Sequence, residues 1–125
     1  MALADTSFLI DLMKKDAGAR KLYNRVSTIS IPSVVVAELM AGVEKKGNSN
    51  AIRRVDNFLS AFMCAGFTCE VAREYGKLYA LLYSKGKPIP EFDMMIAATA
   101  LHHGEPLITK DKHFREVPGL EVIGY

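Results

Sequence analysis

The chain has 125 residues, enough for one domain that buries about two-thirds of its unfolded surface. Half of the residues are hydrophobic, which excludes a disordered chain, and a net charge of +2 is too small to indicate a nucleic-acid-binding protein by itself. No apolar run reaches the roughly 20 residues that span a bilayer, and the first residues lack a signal-peptide pattern. We therefore expect a soluble cytoplasmic protein that does not enter the membrane.

The hydrophobic pattern predicts short strands that alternate with helices. In chain order we expect a strand over 1–4, helices over 8–13 and 19–26, a strand over 28–31, a helix over 33–42, a polar loop over 45–50, a helix over 51–61, a short strand over 67–69, helices over 70–83 and 91–103, a strand over 107–109, a turn or short helix over 110–114, and a last strand over 120–123. Such alternation is typical of a three-layer α/β/α sandwich with a central, mainly parallel sheet. We expect residues 1–125 to form a single domain.

Four acidic residues stand where predicted strands give way to helices. Asp5 and Asp111 directly follow strands, and Glu38 and Asp93 lie in the first turns of helices. Because ligands bind outside the carboxyl ends of parallel strands, all four are expected at one edge of the sheet. Four adjacent carboxylates would raise one another's pKa unless a cation neutralised them. The pattern therefore predicts a site for Mg²⁺ or Mn²⁺, a metal that can activate water against a phosphodiester.

Each of these acids also has a local explanation that involves no site. Asp5 and Asp111 are suitable N-caps for the helices that follow them, and Asp93 in a first helical turn would be favoured by the helix macrodipole. Glu38 lies among apolar residues, which leaves it either at the rim of the helix or in a polar cleft. The shared sheet edge favours the joint interpretation, because independent caps need not converge.

Polar neighbours of the acids are further candidates. The hydroxyls of Ser7 and Thr109 could orient water or a scissile phosphate, or simply cap a helix or turn. Lys110 and Lys112 flank an acid of the predicted site and could approach that phosphate. His113 is interpreted as a surface histidine.

Four segments, taken in order along the chain, resemble the motifs of PIN domains. They are residues 5–10 (DTSFLI), 33–42 (SVVVAELMAG), 90–98 (PEFDMMIAA) and 107–114 (LITKDKHF), and the ending 119–125 (GLEVIGY) is similar as well. Within that family the chain looks most like the VapC-type toxins of toxin–antitoxin pairs. The resemblance implies a Mg²⁺- or Mn²⁺-dependent ribonuclease, usually a homodimer that a cognate antitoxin holds inactive. It also implies that Asp5, Glu38, Asp93 and Asp111 are the catalytic, metal-binding acids.

Two other functions are compatible with this length and layering. A PIN-like binding module would keep the acids without turnover. A phosphoacceptor receiver domain would need adjacent acids after its first strand and a lone Asp after its third, whereas Asp5 stands alone and residues 67–70 contain no Asp.

Overall fold

The computed structural model describes residues 1–125. The strands are β1 (Ala2–Ala4), β2 (Ile29–Pro32), β3 (Met63–Ala65), β4 (Leu107–Ile108) and β5 (Val122–Ile123). The helices are α1 (Thr6–Met13), α2 (Ala17–Arg25), α3 (Ser33–Lys46), α4 (Ser49–Ser60), α5 (Cys69–Ser84) and α6 (Glu91–His103), with a 3₁₀ helix over Lys112–Glu116.

All five strands are parallel and lie in the order β3-β2-β1-β4-β5. The chain crosses the sheet in one direction from β1 to β3, then returns past β1 to place β4 on its other side. Since parallel crossovers are right-handed, the helices before and after this reversal cover opposite faces. The predicted α/β fold with a central parallel sheet is confirmed.

The middle of the sheet is buried because its strands are short, continuous apolar segments. Every residue of β1 and β4 is buried, as is typical of parallel strands that are covered by helices on both faces. The strands and surrounding helices share one core of 24 buried residues. None of the helices combines the length and the hydropathy that a membrane-spanning helix needs.

The third strand lies four residues before the predicted one. The sequence pattern indicated a strand over 67–69, whereas β3 occupies Met63–Ala65. This strand is at the sheet edge and Met63 is 70% exposed, so the segment lacks the buried pattern of β1, β2 and β4. The predicted segment instead begins α5, because the Thr68 side chain accepts a hydrogen bond from the backbone N–H of Val71 (3.3 Å) and caps the helix.

The predicted polar loop over 45–50 is too long, because only Gly47 and Asn48 separate α3 from α4. Helix α3 continues to Lys46 and ends at Gly47, whose φ of +75° is the left-handed conformation that glycine adopts easily. Two basic residues in the last turn favour this extension, because they face the negative end of the helix dipole. Since α3 begins at Ser33, Glu38 lies in its second turn rather than in its first.

Two glycines, one directly after a helix and one inside a helix, test the assigned helix boundaries. Gly104 ends α6 with φ +65°, so Gly104→Ala is expected to lower the free energy of unfolding by about 1 kcal/mol through backbone strain alone, since an added Cβ meets nothing within 4 Å. Gly42→Ala, inside α3 and equally uncrowded, should raise it by about 0.5–1 kcal/mol. Urea denaturation of both variants measures the difference, and equal effects would contradict the assignment.

Candidate active site

The site lies where the strand connections diverge. β1 pairs directly with β4, with Ala4 beside Ile108, and the backbone N–H of Asp5 donates to the Ile108 carbonyl (3.1 Å). From this point β1 leads towards β2 and β4 leads towards β5, on opposite sides. Such a switch point leaves a crevice outside the carboxyl ends of the two strands. Asp5 and Thr109, the next residues of the two strands, stand side by side at its floor.

Asp5 is buried, with 3% of its surface exposed, and its carboxylate accepts hydrogen bonds from three donors. The backbone N–H of Phe8 donates to Oδ1 (2.9 Å), which makes Asp5 the N-cap of α1, as the sequence indicated. The Ser7 hydroxyl donates to the same carboxylate (2.8 and 2.9 Å), and the Thr109 hydroxyl donates to Oδ2. Asp5 is thus both a cap and part of the cleft floor, so the two explanations of this residue are not exclusive.

Thr109 links two of the acids. Its Oγ1 donates to Asp5 and accepts from the backbone N–H of Asp111 (2.9 Å). Asp111 in turn caps the 3₁₀ helix by accepting from the N–H of His113 (3.0 Å). The segment that follows β4 is therefore fixed relative to Asp5 by side-chain and backbone hydrogen bonds together.

Glu38 reaches the same cleft from α3. The Thr6 hydroxyl donates to its Oε1 (2.6 Å), which joins α1 to α3 at the rim of the site. Sequence reasoning missed Thr6, since the only available signal was its place next to Asp5. The glutamate lies in a polar cleft, which was one of the two alternatives that the sequence left for it.

Asp93 and Asp111 face His113, which the sequence pattern placed at the surface without a role in the site. The Nδ1 atom of His113 lies 3.2 Å from Oδ1 of Asp111 and 3.7 Å from Oδ2 of Asp93. One potential ligand atom from each of these three residues lies within 4.8 Å of the other two. The His113 side chain is 56% exposed, so it is a surface histidine as expected, but at the mouth of the acidic cleft.

All four predicted acids line one open cleft of about 660 Å³. Ser7 lines it as well, and Thr109 is buried beneath Asp5. Two of the candidates do not join the cleft. The Lys110 ammonium is paired with Asp11 (2.6 Å), and Lys112 is exposed on the 3₁₀ helix without lining the cleft.

The cleft is poorly suited to hold these negative charges without a cation. Burial raises the pKa of Asp5 above its ordinary value, although hydrogen bonds from Thr109, Phe8 and Ser7 oppose the rise. The pKa of Asp93 is raised to about 6, first by burial and then by the nearby charges of Asp111 and Glu38. Oxygen donors crowded in this way fit a hard divalent cation such as Mg²⁺ or Mn²⁺.

The family model for the PIN domain matches residues 2–120, and the chain belongs to this family. It is 31% identical over 126 residues to ribonuclease VapC1 from Rickettsia felis, an alignment that covers 97% of this chain and 93% of that protein. It is 28% identical to the tRNA(fMet)-specific endonuclease VapC from Salmonella typhimurium, with 96% and 94% covered. The resemblance to PIN-domain ribonucleases of the VapC type is confirmed.

Solved structures agree in fold over almost the full chain. A chain of VapBC2 from Rickettsia felis, bound to a promoter DNA fragment, superposes with a TM-score of 0.87 at 29% identity, covering 99% of this chain and 98% of that one. A chain of DNA-bound VapBC from Salmonella typhimurium gives a TM-score of 0.85 at 27% identity, with the same coverage.

A substitution of Thr109, with the buried Thr99 as control, measures how much the hydrogen bond to Asp5 contributes to stability. Thr109→Val removes a donor from a buried carboxylate, and we expect a loss of about 1–3 kcal/mol in the free energy of unfolding. Thr99→Val is the matched control, because the Thr99 hydroxyl only donates to the helical carbonyl of Met95 (2.8 Å), and we expect a loss below about 1 kcal/mol. Equal losses in chemical denaturation would contradict the role of Thr109.

The raised pKa of Asp93 predicts a pH-dependent gain in stability for Asp93→Asn. The ordinary pKa is 3.8 and that of the folded state about 6, so ionisation destabilises the native state fully above pH 6 and progressively less towards pH 4. With a chelator present, we expect the variant to be more stable than the wild type by about 1 kcal/mol at pH 7.5, after allowance for solvent screening, and equal to it near pH 4.

Asp16→Asn is the control for this measurement. Asp16 caps α2 through the backbone N–H of Ala19 (2.9 Å), does not line the cleft, and is replaced by an equally good cap. Its stability should follow that of the wild type within a few tenths of a kcal/mol at both pH values. A clear loss of stability in Asp93→Asn at pH 7.5 would disprove the electrostatic account.

Proposed function

We propose that the protein is an endoribonuclease that hydrolyses RNA phosphodiester bonds with Mg²⁺ or Mn²⁺. The observation that carries the proposal is the convergence of Asp5, Glu38, Asp93 and Asp111, from four separate segments, on one cleft at the β1/β4 switch point. The relatives named above, a ribonuclease and a tRNA-specific endonuclease, support RNA as the substrate class. Burial and mutual repulsion of the acids support a bound cation.

The four acids would hold the metal, and the surrounding side chains would orient them. When bound, the cation lowers the pKa of a coordinated water and neutralises charge on the scissile phosphate. Ser7 and Thr109 fix the plane of the Asp5 carboxylate, and Thr6 directs the Glu38 carboxylate. Such preset orientation lowers the reorganisation that the reaction requires.

We further propose that residues 1–125 act as one PIN-like domain, the toxin of a type II toxin–antitoxin pair. One sheet and one core of 24 buried residues support the single domain. The VapBC structures, which hold toxin and antitoxin relatives, support a cognate antitoxin as partner. From the family resemblance we also propose that the protein forms a homodimer and that it acts in the cytoplasm.

Of the two alternative functions, the family assignment excludes one. The receiver-domain interpretation is wrong, because the chain is a PIN domain and no Asp follows β3. A PIN-like binding module without turnover has the same acids and is separated from the nuclease only by an assay.

Cleavage of RNA by the purified protein, free of antitoxin, tests the proposal. With Mg²⁺ or Mn²⁺ we expect cleavage of an RNA mixture that includes tRNA, and we expect a chelator to abolish it. Asp5→Asn and Asp93→Asn should each lower the rate at least about 100-fold, the range seen when one charge-stabilising group is lost. Asp16→Asn, the same chemical change outside the cleft, should leave the rate within about twofold. Cleavage that survives the chelator or both cleft variants would refute the metal-dependent mechanism.

A further inference from the structure

Phe92 is exposed at the edge of the acidic cleft. It is one of six phenylalanines in the chain, and the other five are buried or form edge-on aromatic pairs (Phe8, Phe58, Phe62, Phe67 and Phe114). Phe92 itself is 49% exposed and lines the cleft beside Asp93. An aromatic ring with this exposure is available to a ligand.

The charges of the cleft limit how RNA can be held there. Its lining contains five carboxylates and no Lys or Arg (Asp5, Glu38, Glu91, Asp93 and Asp111). Phosphate contacts from basic side chains, which usually supply most of the affinity for nucleic acids, are therefore absent from these walls. Lys110 is paired with Asp11 and adds no basic group to the lining. The Phe92 ring offers an uncharged contact. His113 is the other aromatic side chain in the lining, and its Nδ1 atom lies 3.2 Å from Asp111 and 3.7 Å from Asp93.

We propose that Phe92 is a stacking platform for an unpaired nucleobase of the RNA, adjacent to the phosphate that is cleaved. The inference rests on the proposed nuclease function and extends it to the structure of the substrate. A base can stack on an aromatic side chain only when its face is free, as in loops and single strands. Because Phe92 and Asp93 line the same cleft, the stacked base belongs to a nucleotide next to the reacting phosphate.

The chain contains no tryptophan, so a single introduced tryptophan reports on this position alone. Phe92→Trp is prepared in an Asp5→Asn background, which suppresses turnover, and is titrated with a 12-nucleotide single-stranded RNA whose integrity is checked on a gel. We expect saturable quenching of the tryptophan emission, at least threefold weaker when the same RNA is annealed to its complement.

Tyr23→Trp in the same background is the control. Tyr23 is 45% exposed and packs edge-on against Phe62, and it does not line the cleft. Its replacement should show at most one-third of the quenching. Equal quenching at both positions, or equal quenching by single-stranded and duplex RNA, would overturn the stacking proposal. Quenching of Phe92→Trp by a lysine-rich decapeptide but not by RNA would also overturn it, in favour of a protein segment as the occupant.

Steady-state cleavage provides the second readout. Phe92→Ala should raise KM about tenfold, equivalent to about 1.4 kcal/mol, with a smaller effect on kcat, and Phe92→Tyr should restore KM. Wild-type cleavage with an unchanged KM in Phe92→Ala would disprove the platform and leave the nuclease intact. Quenching without any cleavage by the wild type would instead count against the proposed function and retain the binding site.

Discussion

The parallel pairing of β1 with β4 is the contact on which both the sheet and the site depend. It places the chain's first strand beside one that follows it by about a hundred residues, and it reverses the direction in which the strands are added. The same pairing sets Asp5 against Thr109, two residues 104 positions apart. If it were lost, the two halves of the sheet would separate, and the acids on either side of the cleft would no longer share one space.

The acidic cleft lowers the stability of the folded protein. Asp5 is satisfied by three donors, and no buried side-chain polar atom lacks a hydrogen-bond partner, yet the pKa values of Asp5 and Asp93 are still raised. Hydrogen bonds therefore do not fully offset burial and repulsion. The apolar core that surrounds the β1/β4 edge compensates for this cost, since a protein can tolerate a locally unfavourable site only when the rest of the fold is consistent.

The sequence was sufficient to predict the fold class and most of the helices, because each depends on local patterns that lie within about fifteen residues. It also predicted that four acids would share one edge of the sheet, and the structure brings them into one cleft. The sequence was insufficient for features that depend on distant partners. β3 was misplaced because an exposed edge strand carries no buried pattern. Thr6 was missed because its partner Glu38 lies on another helix, and the direction of Lys110 is set by Asp11, far away in sequence. The approach of His113 to Asp93 depends in the same way on the packing of the 3₁₀ helix near the start of α6.

The residues of the site are far apart in the sequence, and this separation determines when the site can form during synthesis. Once a ribosome has added Asp5, Thr109 and Asp111 require more than a hundred further additions. At about 5–20 residues per second, that interval is about 5–20 seconds. During this time a growing chain holds isolated carboxylates that cannot converge. A growing chain therefore assembles the complete acidic cluster only after Asp111 has been added and β4 has paired with β1.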